Sequence, residues 1–511
     1  MTDALERVRR IPAWIRWLVA LLPLRMALVT IVPVLPEEAY HWNFARHLDW
    51  SYHDHPPVIA WAIAAGRLLF GDTTLGIRAV PFLCSVGTSI LLARMAKRFY
   101  GDGAAVWAVV LFTAMPVGLL VSAAGFPDSP LLFFWALTMS LTWEAIDGRD
   151  RRRWIAAGAA LGAAMMSKYT AVLLIPGVAL HLLASRRDRR PLATPWPYLA
   201  GVTALAVFSP VIYWNWKHDW ASFLFQSLGR MEEARGAPGR PGRFLLNQAL
   251  AFFPLTVPLL PAAAVLLVRT ARREEQFLRA CLLPIVLVFA VVSFFRPAHL
   301  LWPLPGYLGL VVVLSGVLSA GSGRIARVYE RGRSVLVGTS IAGFLIAGIH
   351  LGFFLPWIAP IQGPYGWEEA AARAREIRQS LPDSAFYLAL GRKYTCTSQL
   401  AYRLNQPYNV FGADLIGDDA LQYEYWSDPA SLKGRSAVIV LENQTRANRL
   451  ERLRELFETV EPAGEVIVPV GRSPILPVPP VGFSFYRASG YRPPEALLSG
   501  RLDRGRNGRR D

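Results

Sequence analysis

Apolar runs of about 18 residues or more recur through the first 357 positions. Hydrocarbon offers no partner to a backbone amide or carbonyl, so such runs are expected to become helices that cross a membrane. Reading their ends gives about eleven spans, near 13–35, 75–99, 104–124, 129–146, 154–167, 169–185, 196–216, 244–268, 277–295, 300–320 and 334–357. Residues 58–70 are also apolar, but Arg67 interrupts them, the pattern of a helix lying in the interface. No signal-peptide cleavage pattern follows the first run, which reads as a retained span. At 53% hydrophobic residues the chain is too apolar for a soluble protein of 511 residues.

The net charge of +17 would suggest nucleic acid in a soluble chain. Here the arginines lie in short loops between apolar runs, so topology accounts for them and no nucleic-acid partner is expected. Arg7, Arg9 and Arg10 precede the first span, and alternate loops carry Arg94/Lys97/Arg98, Arg149 to Arg153, Arg186 to Arg190, Arg269/Arg272/Arg273 and Arg324 to Arg333. Positive charge marks the cytoplasmic side, which places the remaining loops on the opposite face. Cys84, Cys281 and Cys396 are far apart and imply neither a disulfide framework nor a thiolate metal site.

The chain is therefore expected to divide into a transmembrane region, 1–357, a soluble outward-facing α/β domain, 358–490, and a basic disordered tail, 491–511. In the second region, amphipathic helical stretches (Trp367 to Leu381, Arg446 to Glu461) alternate with β-like runs (Ala385 to Leu390, Ala437 to Leu441, Glu465 to Val470).

The chemistry-bearing residues gather in the outward loops. Pro36-Glu37-Glu38-Ala39-Tyr40-His41-Trp42 follows the first span, and Tyr52-His53-Asp54-His55-Pro56-Pro57 lies in the same loop. Carboxylates at a membrane edge are costly unless used. Glu37, Glu38 and Asp54 can act as a general base on a hydroxyl, and Glu37 with Asp54 can hold a divalent cation (Mg, Mn or Zn) against a phosphate. His53 and His55 suit metal, phosphate or a turn cap. Asp128, in Phe126-Pro127-Asp128-Ser129-Pro130, suits a helix N-cap or a pocket. Lys168, flanked by Ser167 and Tyr169, suits a snorkelling anchor or a partner for a lipid phosphate. Trp214, Trp216 and Trp220 read as an interfacial aromatic belt, and Lys217, His218, Arg296 and His299 as weaker phosphate partners.

At these residues the chain resembles the GT-C superfamily of integral-membrane glycosyltransferases, in the bacterial branch with the lipid A aminoarabinose transferase and relatives of protein O-mannosyltransferases. Glu37-Glu38 and Asp54-His55-Pro56-Pro57 are similar to its acidic motifs, as are Pro127 to Trp135, Ser167 to Ala171, Pro210 to Phe223 and His299 to Tyr307, in order over about residues 10–320. Glu37 departs from the Asp usual there. The resemblance implies a polyprenyl-phosphate sugar donor, such as undecaprenyl phosphate, a lipid or glycan acceptor, and inversion at the anomeric carbon. Glu37 or Glu38 would then serve the acceptor, while Asp54 with a divalent metal, His55 and Lys168 stabilise the departing phosphate, with His53, Asp128, Tyr169 and His299 nearby. It also implies a multi-pass protein of the bacterial inner membrane, with active site and C-terminal domain in the periplasm. A transporter or flippase of lipid-linked sugar is the alternative; it favours ionisable residues in mid-span and paired broken helices.

Overall fold

The computed structural model describes residues 10–148, 150–229, 239–251, 272–320, 364–391, 393–442, 446–469 and 480–498. Among these, four helices are long and apolar enough to cross a membrane: Ala13–Ile31, Thr74–Tyr100, Trp196–Lys217 and Arg273–Phe295. The run expected as one span at 104–124 is two helices, Asp102–Ala114 and Pro116–Ala123, bent by 71°. Pro116 explains the break, since it donates no hydrogen bond and its ring collides with the preceding turn. Counting that pair as one crossing gives up to five, against about eleven expected. Asp128–Asp147 and Arg152–Ser167 form helices where spans were expected. The expected spans at 169–185 and 300–320 start as 3-10 turns and leave only short apolar helices, ending at Ala184 and Ser319. The span expected at 334–357, and most of that at 244–268, lie outside the described residues.

Small residues bring two of these helices into close contact. Gly158 and Gly162 lie four apart on Arg152–Ser167 and face Ala200 and Ala204 on Trp196–Lys217. A Cβ on Gly158 would stand 2.1 Å from the Ala200 carbonyl oxygen. This is the small-xxx-small contact by which membrane helices pack without a hydrophobic driving force. Gly158→Leu is expected to lower the melting temperature in detergent, at a cost of about 2 kcal/mol or more. Gly201→Leu, where the space is open, is the control that should melt like wild type.

Arg25, fully buried in the first span, donates from Nη1 to Ser89 Oγ (3.2 Å) and from Nη2 to Ser122 Oγ (2.9 Å) and to Ser85. A buried guanidinium held by hydroxyls thus ties Ala13–Ile31 to Thr74–Tyr100 and Pro116–Ala123.

The C-terminal region forms a five-stranded sheet in the order β2-β1-β3-β5-β4: β1 Phe386–Leu390, β2 Val410–Phe411, β3 Ala437–Glu442, β4 Thr459–Val468 and β5 Val481–Ser489. β1 pairs in parallel with β2 and β3, and β5 runs antiparallel to β3 and β4. Sequence reading missed β5, although Val481, Phe483 and Phe485 alternate with period two. They point into one core, while Tyr486 and Ala488 point into the other. The tail expected to be disordered from 491 instead begins within the fold: Tyr491 is buried and donates to the Leu415 carbonyl at 2.6 Å.

The sheet is not an appendage. Helix Pro36–Arg46 inserts between it and the apolar helices, so Ala39, Trp42 and Ala45 share one core with Ile59, Ile63, Trp367, Leu400 and Phe483. Helix Thr395–Leu404 packs on it, and Gln399 Nε2 donates to the Val34 carbonyl at 2.9 Å. The helix that carries the acidic motif is therefore held from both sides.

Candidate active site

The first apolar helix stops at Ile31, and Val32 to Leu35 lead into a new helix with Pro36 at its start. Pro is favoured there because its fixed φ suits the first turn and its missing N–H is not needed. Helical geometry then separates the two glutamates. Glu37, Tyr40 and His41 stand at i, i+3 and i+4 and share a face, while Glu38 points about 100° away.

Glu38 is consumed by structure. Its Oε1 accepts from Arg78 Nε (2.7 Å) and Gly125 N (2.7 Å), and its Oε2 from Arg78 Nη2 (2.5 Å) and Leu35 N (2.9 Å). Arg78 donates further to the carbonyls of Val29, Val32 and Pro33, and both side chains are fully buried. A carboxylate with four donors has no lone pair left for a substrate hydroxyl. The expectation that Glu38 is a catalytic alternative to Glu37 is therefore corrected: Glu38 is the counter-ion of Arg78.

Glu37 is different. Among the described residues its carboxylate accepts no hydrogen bond, and the side chain is partly exposed. Burial raises its pKa above the usual carboxylate value of 4.5; His299 and Lys168 pull it back, and Asp128 and Glu38 push it up. A carboxylate lifted this way is a better proton acceptor near neutrality.

Lys168 sits at the junction between Arg152–Ser167 and the 3-10 turn Tyr169–Leu173. Its Nζ donates to both oxygens of Asp128 (2.8 and 2.9 Å). Asp128 opens helix Asp128–Asp147, and among the described residues its carboxylate accepts from Lys168 rather than from the helix end. An ammonium has three donors, and the two bonds to Asp128 engage two of them.

Asp54 Oδ1 accepts from Tyr40 Oη (3.1 Å), and His55 Nε2 lies 3.8 Å from Oδ2. Tyr169 Oη is 2.7 Å from Ser222 Oγ, and the charge of Asp54 reaches it. His53 is turned toward the C-terminal region: its N–H donates to Gln422 Oε1 (2.6 Å) and its ring stacks on Tyr425. His299 is exposed and lies within electrostatic reach of Glu37. The aromatic belt is corrected in part, because Trp214 is buried and donates to Asp49 Oδ2 at 2.9 Å.

A divalent cation on Glu37 and Asp54 would have two protein carboxylates as its ligands. Among the described residues no three His, Cys, Asp or Glu side chains converge as ligands, and Asp54 is directed at Tyr40 and His55. No catalytic step is assigned to a metal.

Four residues escaped the sequence reading. Tyr40 and His41 could have been found from their helical spacing to Glu37. His41 is buried, among the described residues neither ring nitrogen makes a hydrogen bond of ordinary geometry, and its ring lies 5.1 Å from that of His55. Burial, with a smaller contribution from Lys168, pushes its pKa down to about 3, so it faces the site as a neutral imidazole. Arg78 and Gln422 carry no local signal. Gln422 donates its N–H to Tyr40 Oη (3.1 Å) while its side chain holds the His53 backbone, so one residue of the sheet region fixes both supports of Asp54.

Comparison with known proteins places relatives along this chain. The sequence profile of the dolichyl-phosphate-mannose-protein mannosyltransferase family matches residues 54–214. A lipid A galacturonosyltransferase of Rhizobium johnstonii is 30% identical over 184 residues, 36% of this chain and 38% of that protein. An undecaprenyl phosphate-α-4-amino-4-deoxy-L-arabinose arabinosyl transferase of Pseudomonas fluorescens is 26% identical over 386 residues, 69% of this chain and 64% of that one. In both, the match spans less than two thirds of the relative. Among solved structures, the aminoarabinose transferase of Cupriavidus metallidurans bound to undecaprenyl phosphate matches with a TM-score of 0.65 and 17% identity, over 93% of this chain and 98% of that one. At that identity the likeness speaks for the fold.

Proposed function

We propose that this chain, an integral-membrane protein of the GT-C superfamily related to the aminoarabinose transferases and O-mannosyltransferases, transfers a sugar from a polyprenyl phosphate to a lipid or glycan acceptor. The observation that carries this reading is electrostatic. Glu37, a carboxylate with no structural hydrogen bond among the described residues, lies within reach of the charge of Lys168. A base and a cation are the two functions that displacement of a phosphate by a hydroxyl requires.

In the proposed reaction the acceptor hydroxyl gives its proton to Glu37 as its oxygen bonds to the anomeric carbon. The bond from that carbon to the phosphate oxygen breaks, with inversion, and polyprenyl phosphate leaves carrying the negative charge. Lys168, oriented by Asp128, stabilises that charge, and so does His55, oriented by Asp54. Neutral His41 offers a hydrogen bond without adding charge. The donor and acceptor named for the relatives motivate an undecaprenyl-phosphate sugar and a lipid A-type acceptor. The arginine-rich loops motivate an inner-membrane location with the site in the periplasm.

The test is release of undecaprenyl phosphate from undecaprenyl-phosphate sugars by the purified protein with envelope lipid extracts as acceptor. Turnover should depend on acceptor. It should also fall as pH drops through the elevated pKa of Glu37, because only the carboxylate form accepts a proton. Failure to bind undecaprenyl phosphate, together with no release from any donor, would remove the reading.

A further inference from the structure

A cavity of about 530 Å³ lies beyond the far end of the acidic-motif helix, lined by His47, Tyr408, Tyr423, Tyr425, Trp426 and Arg435, among others. That volume falls within the range of small-molecule sites. The walls are aromatic: His47 stacks on Trp426 at 4.3 Å and 14°, and Tyr408 meets His47 edge-on at 4.5 Å. Tyr408 stays 63% exposed although its hydroxyl is tied to the Arg46 carbonyl. Asn409, Asp428 and Arg435 bring an amide, a carboxylate and a guanidinium to the same cavity.

We infer that this groove binds the saccharide part of the acceptor, a reading that rests on the proposed transferase activity. A pyranose presents a C–H face, which packs on aromatic rings, and hydroxyls at its edge, which need both donors and acceptors. The cavity supplies both. An extended peptide is the poorer fit, because the strand beside it, β2, is only two residues long and offers little edge for strand addition.

Position couples the groove to the chemistry. His47 follows Glu37 by ten residues along one helix, about 15 Å at the helical rise. The wall between them is thin. Tyr425 lines the cavity and its Oη lies 3.3 Å from His53 Nδ1, next to Asp54. Tyr423 also lines it and lies 5.9 Å, ring to ring, from Tyr40, which donates to Asp54. A sugar seated here is held one residue away from the loop that carries Asp54 and His55.

Saturation-transfer NMR on the purified full-length protein, without donor, tests this with two probes: fully deacylated lipid A and a Ser/Thr-rich decapeptide. Signals on sugar ring protons are expected in wild type. The dissociation constant should rise about tenfold in Tyr408→Ala and return in Tyr408→Phe, which keeps the ring. In the transfer assay the KM for acceptor should rise about tenfold in Tyr408→Ala, while the KM for the lipid-phosphate donor stays. Equal sugar signals in wild type and Tyr408→Ala, or saturation of the decapeptide alone, would overturn the inference. Transfer with an unchanged acceptor KM in Tyr408→Ala also rejects the groove but leaves the transferase standing. Sugar binding that depends on Tyr408 in a protein that transfers nothing rejects the transferase and supports the groove.

Discussion

Glu37→Gln is expected to lower sugar transfer by about 100-fold or more, the usual contribution of a positioned general base, while leaving the melting temperature of the purified protein nearly unchanged. The amide keeps the size and the helix position but cannot take a proton from the acceptor. Structure is expected to tolerate the change because, among the described residues, the Glu37 carboxylate accepts no hydrogen bond. Removing a carboxylate that burial has lifted in pKa relieves a desolvation cost instead of breaking a contact. The check pairs single-turnover transfer with a thermal melt in the same detergent. Turnover within about threefold of wild type would take the base away from Glu37, and since Glu38 has no free lone pair, it would leave Asp54 as the carboxylate to examine.

The second large effect runs the other way. Arg78→Met is expected to cost about 3–5 kcal/mol of stability, because it strands the Glu38 carboxylate in a fully buried position. It also strips donors from the Val29, Val32 and Pro33 carbonyls at the end of the first apolar helix. Fluorescence-detected size exclusion should show loss of the monodisperse peak. Replacing both partners, Arg78→Met with Glu38→Leu, should recover much of it, because no unpaired charge then remains. If the single variant melts like wild type, the ion pair is not what anchors the acidic-motif helix. The two variants together separate neighbouring glutamates by role, one through turnover and the other through folding.

Several parts of this molecule were legible in the sequence. Apolar run length marked the helices at Ala13–Ile31, Thr74–Tyr100, Trp196–Lys217 and Arg273–Phe295. Period-two and period-3.6 patterns marked β1, β3 and helix Trp367–Arg378. The concentration of Glu37, Asp54, His55 and Lys168 at helix ends marked where chemistry could occur. Other features were read too coarsely. A run of apolar residues does not by its length say where it bends, and the break at 104–124 falls at Pro116. In β5 the period-two alternation of Val481, Phe483 and Phe485 is set against uncharged Gly482, Ser484 and Tyr486, a weak contrast because both faces of the strand are covered.

What the sequence by itself determined is therefore local: which segments are apolar enough for helices, where they stop, and which ionisable groups lie near those stops. Those properties depend on residues within a turn or two of each other. What only the tertiary structure decided is which group is free to react. Glu38 is taken by Arg78, forty positions on, Lys168 by Asp128, forty positions back, and Asp54 depends on Tyr40, which Gln422 holds across 382 positions. A buried charge must find its partner wherever the fold delivers one, because leaving it unpaired costs more than any local preference can supply. Adjacent glutamates on one helix look alike in sequence, and the packing of Arg78 against one of them makes them different.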